Sequence, residues 1–183
     1  MKDNQRLSER MTGHVATKRD AGAGAAMAGM YSVVCRDKHG DVKWREEIHN
    51  RVVNEGLDYL LETALAAGTQ IASWFVGLTD GAPTVAAGDT LASHAGWTEV
   101  TAYTGDRQAF TAGAVSGQSV DNSGAAAEFP ITASATVGGA FLASAATGTA
   151  GTLYSAGAFS GGNRSLDNGD TLTVEATFTA SVV

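Results

Sequence analysis

An antiparallel β-sandwich, jelly-roll-like or immunoglobulin-like, with one packed α-helix and an extended N-terminal arm is the mainly β fold class that the sequence predicts. Three observations carry it. Residues 71–183 break into short apolar segments that alternate with a period of two, as in Leu172, Val174, Ala176 and Phe178. Clusters of Gly, Asp, Asn and Ser separate them, for example 117–124 and 161–169. One leucine-striped segment alone has helical spacing, so no strand–helix alternation points to a parallel sheet.

Taken in order, residues 1–29 read as the arm. Residues 1–20 are polar with no sustained period, and 21–29 (AGAGAAMAG) are too small-chained to pack a core. Such a stretch is either a solvated tail or an arm that orders against a partner, and the arm is the reading adopted. Residues 30–183 form the sandwich domain. Its first element is a hairpin over 30–48, with Tyr31, Val33 and Cys35 on one strand and Val42, Trp44 and Glu46 on the other. Asp37 to Asp41 supply the turn, with His39 at its tip. A helix over 50–67 follows, capped by Asn50 and stopped by Gly68. Its Val53, Leu57, Leu60, Leu61, Ala64 and Leu65 are expected to face the sheet, and Gly56 weakens it slightly. Strands are then expected at 73–79, 97–103, 107–115, 127–133, 137–143, 151–159 and 171–181. The tetrad Gly-Asp-Thr-Leu occurs at 88–91 and again at 169–172, each time read as a turn entering a strand.

The core must be thin. The chain has 183 residues, of which 33 are Ala and 23 Gly, and neither type brings much apolar area. The lone Cys35 excludes an internal disulfide. No apolar run approaches the roughly 20 residues that span a bilayer, and the charged start lacks a secretory h-region. Charge is divided unevenly. Residues 1–51 hold ten Lys/Arg against seven Asp/Glu, whereas 52–183 hold two against twelve. The acidic part is a poor ligand for phosphate backbones, and the arm's cations are interleaved with acids, so no direct nucleic-acid contact is expected.

Chemistry is hard to assemble from what remains. His14, His39, His49 and His94 are scattered and form no metal-type pair. Gly113-Ala-Val-Ser116-Gly117 misses the nucleophile-elbow spacing by one position. The glycine-rich stretches 138–139 and 157–162 lack the Lys-Ser/Thr of a phosphate loop. Asn163, Asp167, Asn168 and Asp170 have oxygen ligands suited to calcium but not its usual spacing, and Asp and Asn in such loops more often serve turns. The expectation is a protein that is not an enzyme, with no catalytic, cofactor-binding or metal-binding residues and no cofactor. Trp74 and Trp97 begin strands; core packing and a partner or glycan platform both suit them.

From Val42 onward the chain resembles small structural proteins of tailed-phage virions, of the capsid cement or decoration type. The marks are Trp74-Phe75-Val76-Gly77-Leu78, Pro83, Gly88-Asp89-Thr90, His94, Trp97-Thr98-Glu99, Asp121-Asn122-Ser123, Val137-Gly138-Gly139-Ala140-Phe141-Leu142, Gly151-Thr152-Leu153-Tyr154 and Gly169-Asp170-Thr171-Leu172. The resemblance implies a protein made in the host cytoplasm that sits on the outer surface of the capsid. There it binds the major capsid protein, bridges neighbouring subunits and self-associates as a dimer or trimer. A tail or head-fibre component, and a carbohydrate-binding sandwich module, are the alternatives. Residues 1–29 lie outside the resemblance.

Overall fold

The computed structural model describes residues 24–182. The expected arm therefore lies, for 1–23, outside the described residues, and its last part is not an arm. Ala25–Gly29 open the first strand, β1 (Ala25–Arg36), which turns into β2 (Val42–Val52). The expected hairpin is thus present but longer at both ends. Its turn is built by Asp37, whose carboxylate accepts from the backbone N–H groups of His39 (2.8 Å) and Asp41 (3.0 Å). Gly40 supplies the left-handed residue at φ +89°.

The helix, α1, spans Asn54–Leu65, four residues later than the sequence suggests. Asn50 caps nothing. It sits in β2 opposite Gly29, where a Cβ would lie 2.1 Å from the Asn50 side chain, so the glycine makes room for the amide. β2 continues to Val52 because Arg51 and Val52 pair with Ala156 and Ser155. Gly56, expected to weaken the helix, is what lets it dock. A Cβ there would lie 2.5 Å from the Tyr154 carbonyl oxygen. Gly68 closes the helix end, its N–H bonding Glu62 O at 2.8 Å.

The remaining strands are β3 (Trp74–Thr79), β4 (Gln108–Phe110), β5 (Ser119–Asp121), β6 (Ala127–Pro130), β7 (Ala135–Val137), β8 (Gly139–Ala143), β9 (Leu153–Ala158), β10 (Arg164–Leu166) and β11 (Thr171–Val182). All pairings are antiparallel, and the order is β4-β3-β8-β9-β2-β1-β11-β5, with β6 also on β11 and a separate β7–β10 pair. The fold is mainly β with one helix, and its long sheet curls so that the two halves enclose one core in a sandwich-like arrangement. Phe110 of β4 thereby meets Phe178 of β11 edge to face at 5.9 Å.

Three expected strands need correction. Residues 97–103 form none, touching the sheet only at isolated bridges, Glu99 to Thr79 and Tyr103 to Ile131. The 107–115 segment keeps a three-residue strand. The 137–143 segment breaks at Gly138, where the chain passes from the β7–β10 pair to the main sheet. A Cβ at Gly138 would lie 2.2 Å from the Gly81 carbonyl carbon, and its N–H bonds Thr79 O at 2.8 Å. Conversely, the two clusters read as turns contain β5 and β10.

Burial distinguishes two kinds of strand. β1 and β11 alternate, with Tyr31, Val33, Cys35, Leu172, Val174 and Ala176 fully inside. β8 and the first five residues of β9 are buried on both faces. One face of β3, β8 and β9 joins the main core through Val76, Leu78, Leu142 and Tyr154. The other meets a second core of Phe141, Ala143, Leu153, Leu91 and Trp97, under residues 80–107. A bulge sorts the side chains of β9. Leu142 pairs with Ser155 and Ala143 with Leu153, so Tyr154 is the extra residue and turns into the main core.

Candidate functional site

An apolar cleft of about 380 Å³ opens at the end of the curled sheet, between α1, β3–β4 and the ends of β1 and β11. Its wall is a run of aromatic rings in edge-to-face contact. Tyr59 meets Trp74 at 5.2 Å, Trp74 meets Tyr154 at 5.4 Å, and Tyr154 meets Phe178 at 5.1 Å. Met27, Leu60, Phe110, Val115 and Val120 complete it, and Val115 is 74% exposed at the rim. Rigid rings with polar edges are the side chains that most often anchor protein partners.

α1 stands at one side of this cleft and presents a second apolar surface. Only Gly56 of the helix is fully buried, and Leu60 packs against the core. Leu57, Leu61 and Leu65, expected to face the sheet, point outward at 38%, 59% and 81% exposure. The helix is tethered by its N-terminal turn instead. Val53 N–H donates to Tyr154 O at 3.1 Å, and the Glu55 carboxylate accepts from Leu153 N–H at 2.6 Å. Those bonds fix which side faces inward, and the leucine stripe lies on the other. Sequence periodicity found the stripe and assigned it to the wrong side, because spacing alone carries no direction.

The buried charged side chains are engaged in structure. Arg107 is buried over the Phe141 ring at 5.1 Å. It grips Glu99 with two bonds, of 2.8 and 2.7 Å, and donates to the carbonyls of Ala145 and Gly148. Glu46, also buried, accepts from Ser160, Gly161 N–H and Arg164. Burial pushes its pKa up, but those bonds outweigh it and hold the carboxyl below its ordinary value.

Of the calcium-type residues singled out from sequence, Asp167 and Asp170 are brought together, sharing Lys43 at 2.8 and 2.6 Å, whereas Asn163 accepts from Ala82 N–H at 3.0 Å. Among the described residues no three His, Cys, Asp or Glu side chains are grouped to hold a metal ion. Cys35 is buried, and burial followed by the Asp170 charge pushes its thiol up to about 12. Ser116 lies in the hairpin turn 116–119, with Gly117 and Gln118 both at positive φ, and no α-helix follows. His94 is stacked on Trp97 at 3.6 Å and 7°, and burial lowers its pKa. Trp97 itself belongs to the second core, 7% exposed, while Trp74 lines the cleft. No helix among the described residues is long and apolar enough to cross a membrane.

The repeated tetrad has a structural use. In each copy the Asp carboxylate accepts from the backbone N–H three residues before it, Asp89 from Ala86 and Asp170 from Asp167, both at 2.9 Å. The leucine two residues on is then delivered inward, Leu91 to the second core and Leu172 to the main one. Only the second copy enters a strand. No protein-family model matches the chain, and no curated protein matches it in sequence.

Proposed function

We propose that this chain is a non-enzymatic virion protein of a tailed phage, a capsid cement protein that binds the assembled head shell and bridges neighbouring subunits. The observation that carries the reading is the aromatic-walled cleft, open at the end of an otherwise well-packed sheet. Its walls suit an apolar side chain offered by the major capsid protein, in the manner of a buried anchor. The ordered marks from Val42 onward support the same reading. A protein that binds only the assembled shell stabilises that state by mass action, without needing chemistry of its own.

The test is co-sedimentation of the purified protein with particles lacking it, followed by heating to the point of DNA release. The full chain is expected to bind and to raise the release temperature. Trp74→Ala, which opens the cleft wall, is expected to weaken binding about tenfold or more, as loss of an anchor residue does. Absence of binding by the folded wild-type chain, or binding to tails alone in electron micrographs, overturns the proposal.

A further inference from the structure

The cleft shares Tyr59, Trp74 and Phe110 with a second groove, of about 430 Å³. This groove is a wedge between two chain segments. β3 and β4 pair at Val76 with Gln108, Phe75 with Ala109 and Trp74 with Phe110. Continued one and two residues further, the ladder would set Ser73 opposite Thr111 and Ala72 opposite Ala112. Among the described residues no backbone hydrogen bond joins 70–73 to 111–113, and both segments line the groove instead. Two tethers hold them apart. Ile71 N–H donates to the Tyr59 hydroxyl at 3.1 Å, which ties one segment to α1. Gly113 N–H donates to Asp121 O at 2.7 Å, which ties the other to β5. The paired strands thus open into two backbone edges whose ladder is not continued.

We infer that the partner enters as an extended, uncharged segment, its backbone pairing along this wedge and one apolar side chain passing Trp74 into the cleft. This rests on the proposed function and names the chemistry of the segment that the cleft receives. Backbone and side chain call for it together. Strand edges left without a neighbour are matched by another extended chain, whose main-chain bonds supply affinity. A pocket for one of its alternate side chains supplies selectivity. Charge narrows the choice. No residue lining the cleft or the wedge is charged, although residues 52–183 hold twelve Asp/Glu. A charged side chain seated there would lose its water and find no counter-ion, so the site discriminates against charged segments. The polar side chains on the wedge, Gln70, Ser73 and Thr111, are neutral donors and acceptors that suit a peptide backbone.

The test is amide exchange of the full chain, free and bound to purified particles lacking it. Binding should slow exchange about tenfold or more within 70–73 and 111–112, whereas a side chain docking in the cleft alone would leave those amides as they are. Ala112→Asp, at an exposed position on the wedge, should weaken binding about tenfold or more with an unchanged thermal midpoint. Ala112→Ser should bind like the wild type. Ala150→Asp, exposed and outside the groove, should leave binding unchanged. Failure of the wild-type chain to bind particles removes the proposed function and this inference with it. Binding that leaves 70–73 and 111–112 unprotected, or that tolerates Ala112→Asp, overturns the inference alone. Protection of the wedge in the free protein as its concentration is raised assigns the groove to a second copy and overturns it as well.

Discussion

The β1–β2–β11 side of the sheet and the β3–β8–β9 side are made of the same kind of strand and held by different means. The first buries one face, and its sequence alternates accordingly. Ser32 and Val34 lie between Tyr31, Val33 and Cys35, and Thr173 and Glu175 lie between Leu172, Val174 and Ala176. The second is covered on both faces, so Gly139-Ala140-Phe141-Leu142-Ala143 has no polar member. Covering the outer face takes irregular chain, residues 80–107, pinned by bonds a strand would not need. The Asp80 carboxylate accepts from the N–H and hydroxyl of Thr98, and Arg107 ties Glu99 to two carbonyls. Small residues are what let the layers approach. A Cβ at Gly77 would lie 2.2 Å from the Phe141 ring, and one at Gly139 the same distance from Gly157 O. The abundance of Ala and Gly that makes the composition look core-poor is spent on this close packing.

The largest expected effect breaks the two-faced side. Phe141→Ala removes the ring that covers Gly77, supports Trp97 at 5.0 Å and lies under Arg107. It is expected to cost about 3–5 kcal/mol in urea unfolding. It should also speed amide exchange first in residues 80–107. Leu172→Ala, from the one-faced side, is expected to cost about 2–5 kcal/mol without that local signature. Equal protection of 80–107 in both variants would show that the second core is not a separate unit.

How far the sequence could carry the fold follows from the same difference. Where one face meets water, alternation marks the strand and its inward side, and the hairpin and the last strand are accordingly legible in 30–48 and 171–181. Where both faces are covered, apolar runs give position but not direction or breaks. The strand expected over 137–143 therefore hid its interruption at Gly138, and 97–103, which reads WTEVTAY, proved to be a covering loop. The helix was legible in kind but not in start, because Asn50 is a good cap in isolation and its role opposite Gly29 depends on a partner strand. The aromatic cleft was hardly legible at all. Tyr59, Trp74, Phe110, Tyr154 and Phe178 come from five elements, and only the curl of the sheet brings them together. The Arg107–Glu99 pair is a further miss, although a lone arginine in an acidic, apolar stretch was a signal that pointed to it.

A smaller effect sharpens the comparison through pH. Glu46 on β2 ties the β1–β2 hairpin to residues 160–164, as Asp80 ties the covering loop to β3. Glu46 is held below its ordinary pKa by bonds that outweigh burial, Asp80 by its bonds to Thr98. For a carboxyl whose folded value is depressed, the stabilisation is complete above the unfolded value, near 4, and is lost as pH falls through the folded one. Stability should therefore hold through the mildly acid range and drop below about pH 4. Glu46→Gln is expected to lower stability at neutral pH and to flatten that acid limb, as read from urea midpoints at stepped pH. An acid limb as steep as in the wild type would assign the loss to other carboxylates.

The smallest effect is expected on the one element that belongs to neither side. α1 is held by its first turn, by Tyr59 and by Leu60, and its leucine stripe meets water in the isolated chain. Leu60→Ala removes a side chain packed against the main core and is expected to cost about 2 kcal/mol or more. Leu65→Ala, five residues on and 81% exposed, is expected to change the unfolding free energy of the monomer by less than about 0.5 kcal/mol, Ala being the better helix former. The two leucines are chemically identical and share one helix, so a difference between them measures only which way each faces. If Leu65→Ala is as costly as Leu60→Ala under dilute conditions, the stripe is covered within the monomer itself. If instead the cost of Leu65→Ala is small when dilute and grows with protein concentration, the stripe stabilises a contact between copies and not the fold. That separation of roles is what an exposed apolar stripe on a well-anchored helix requires.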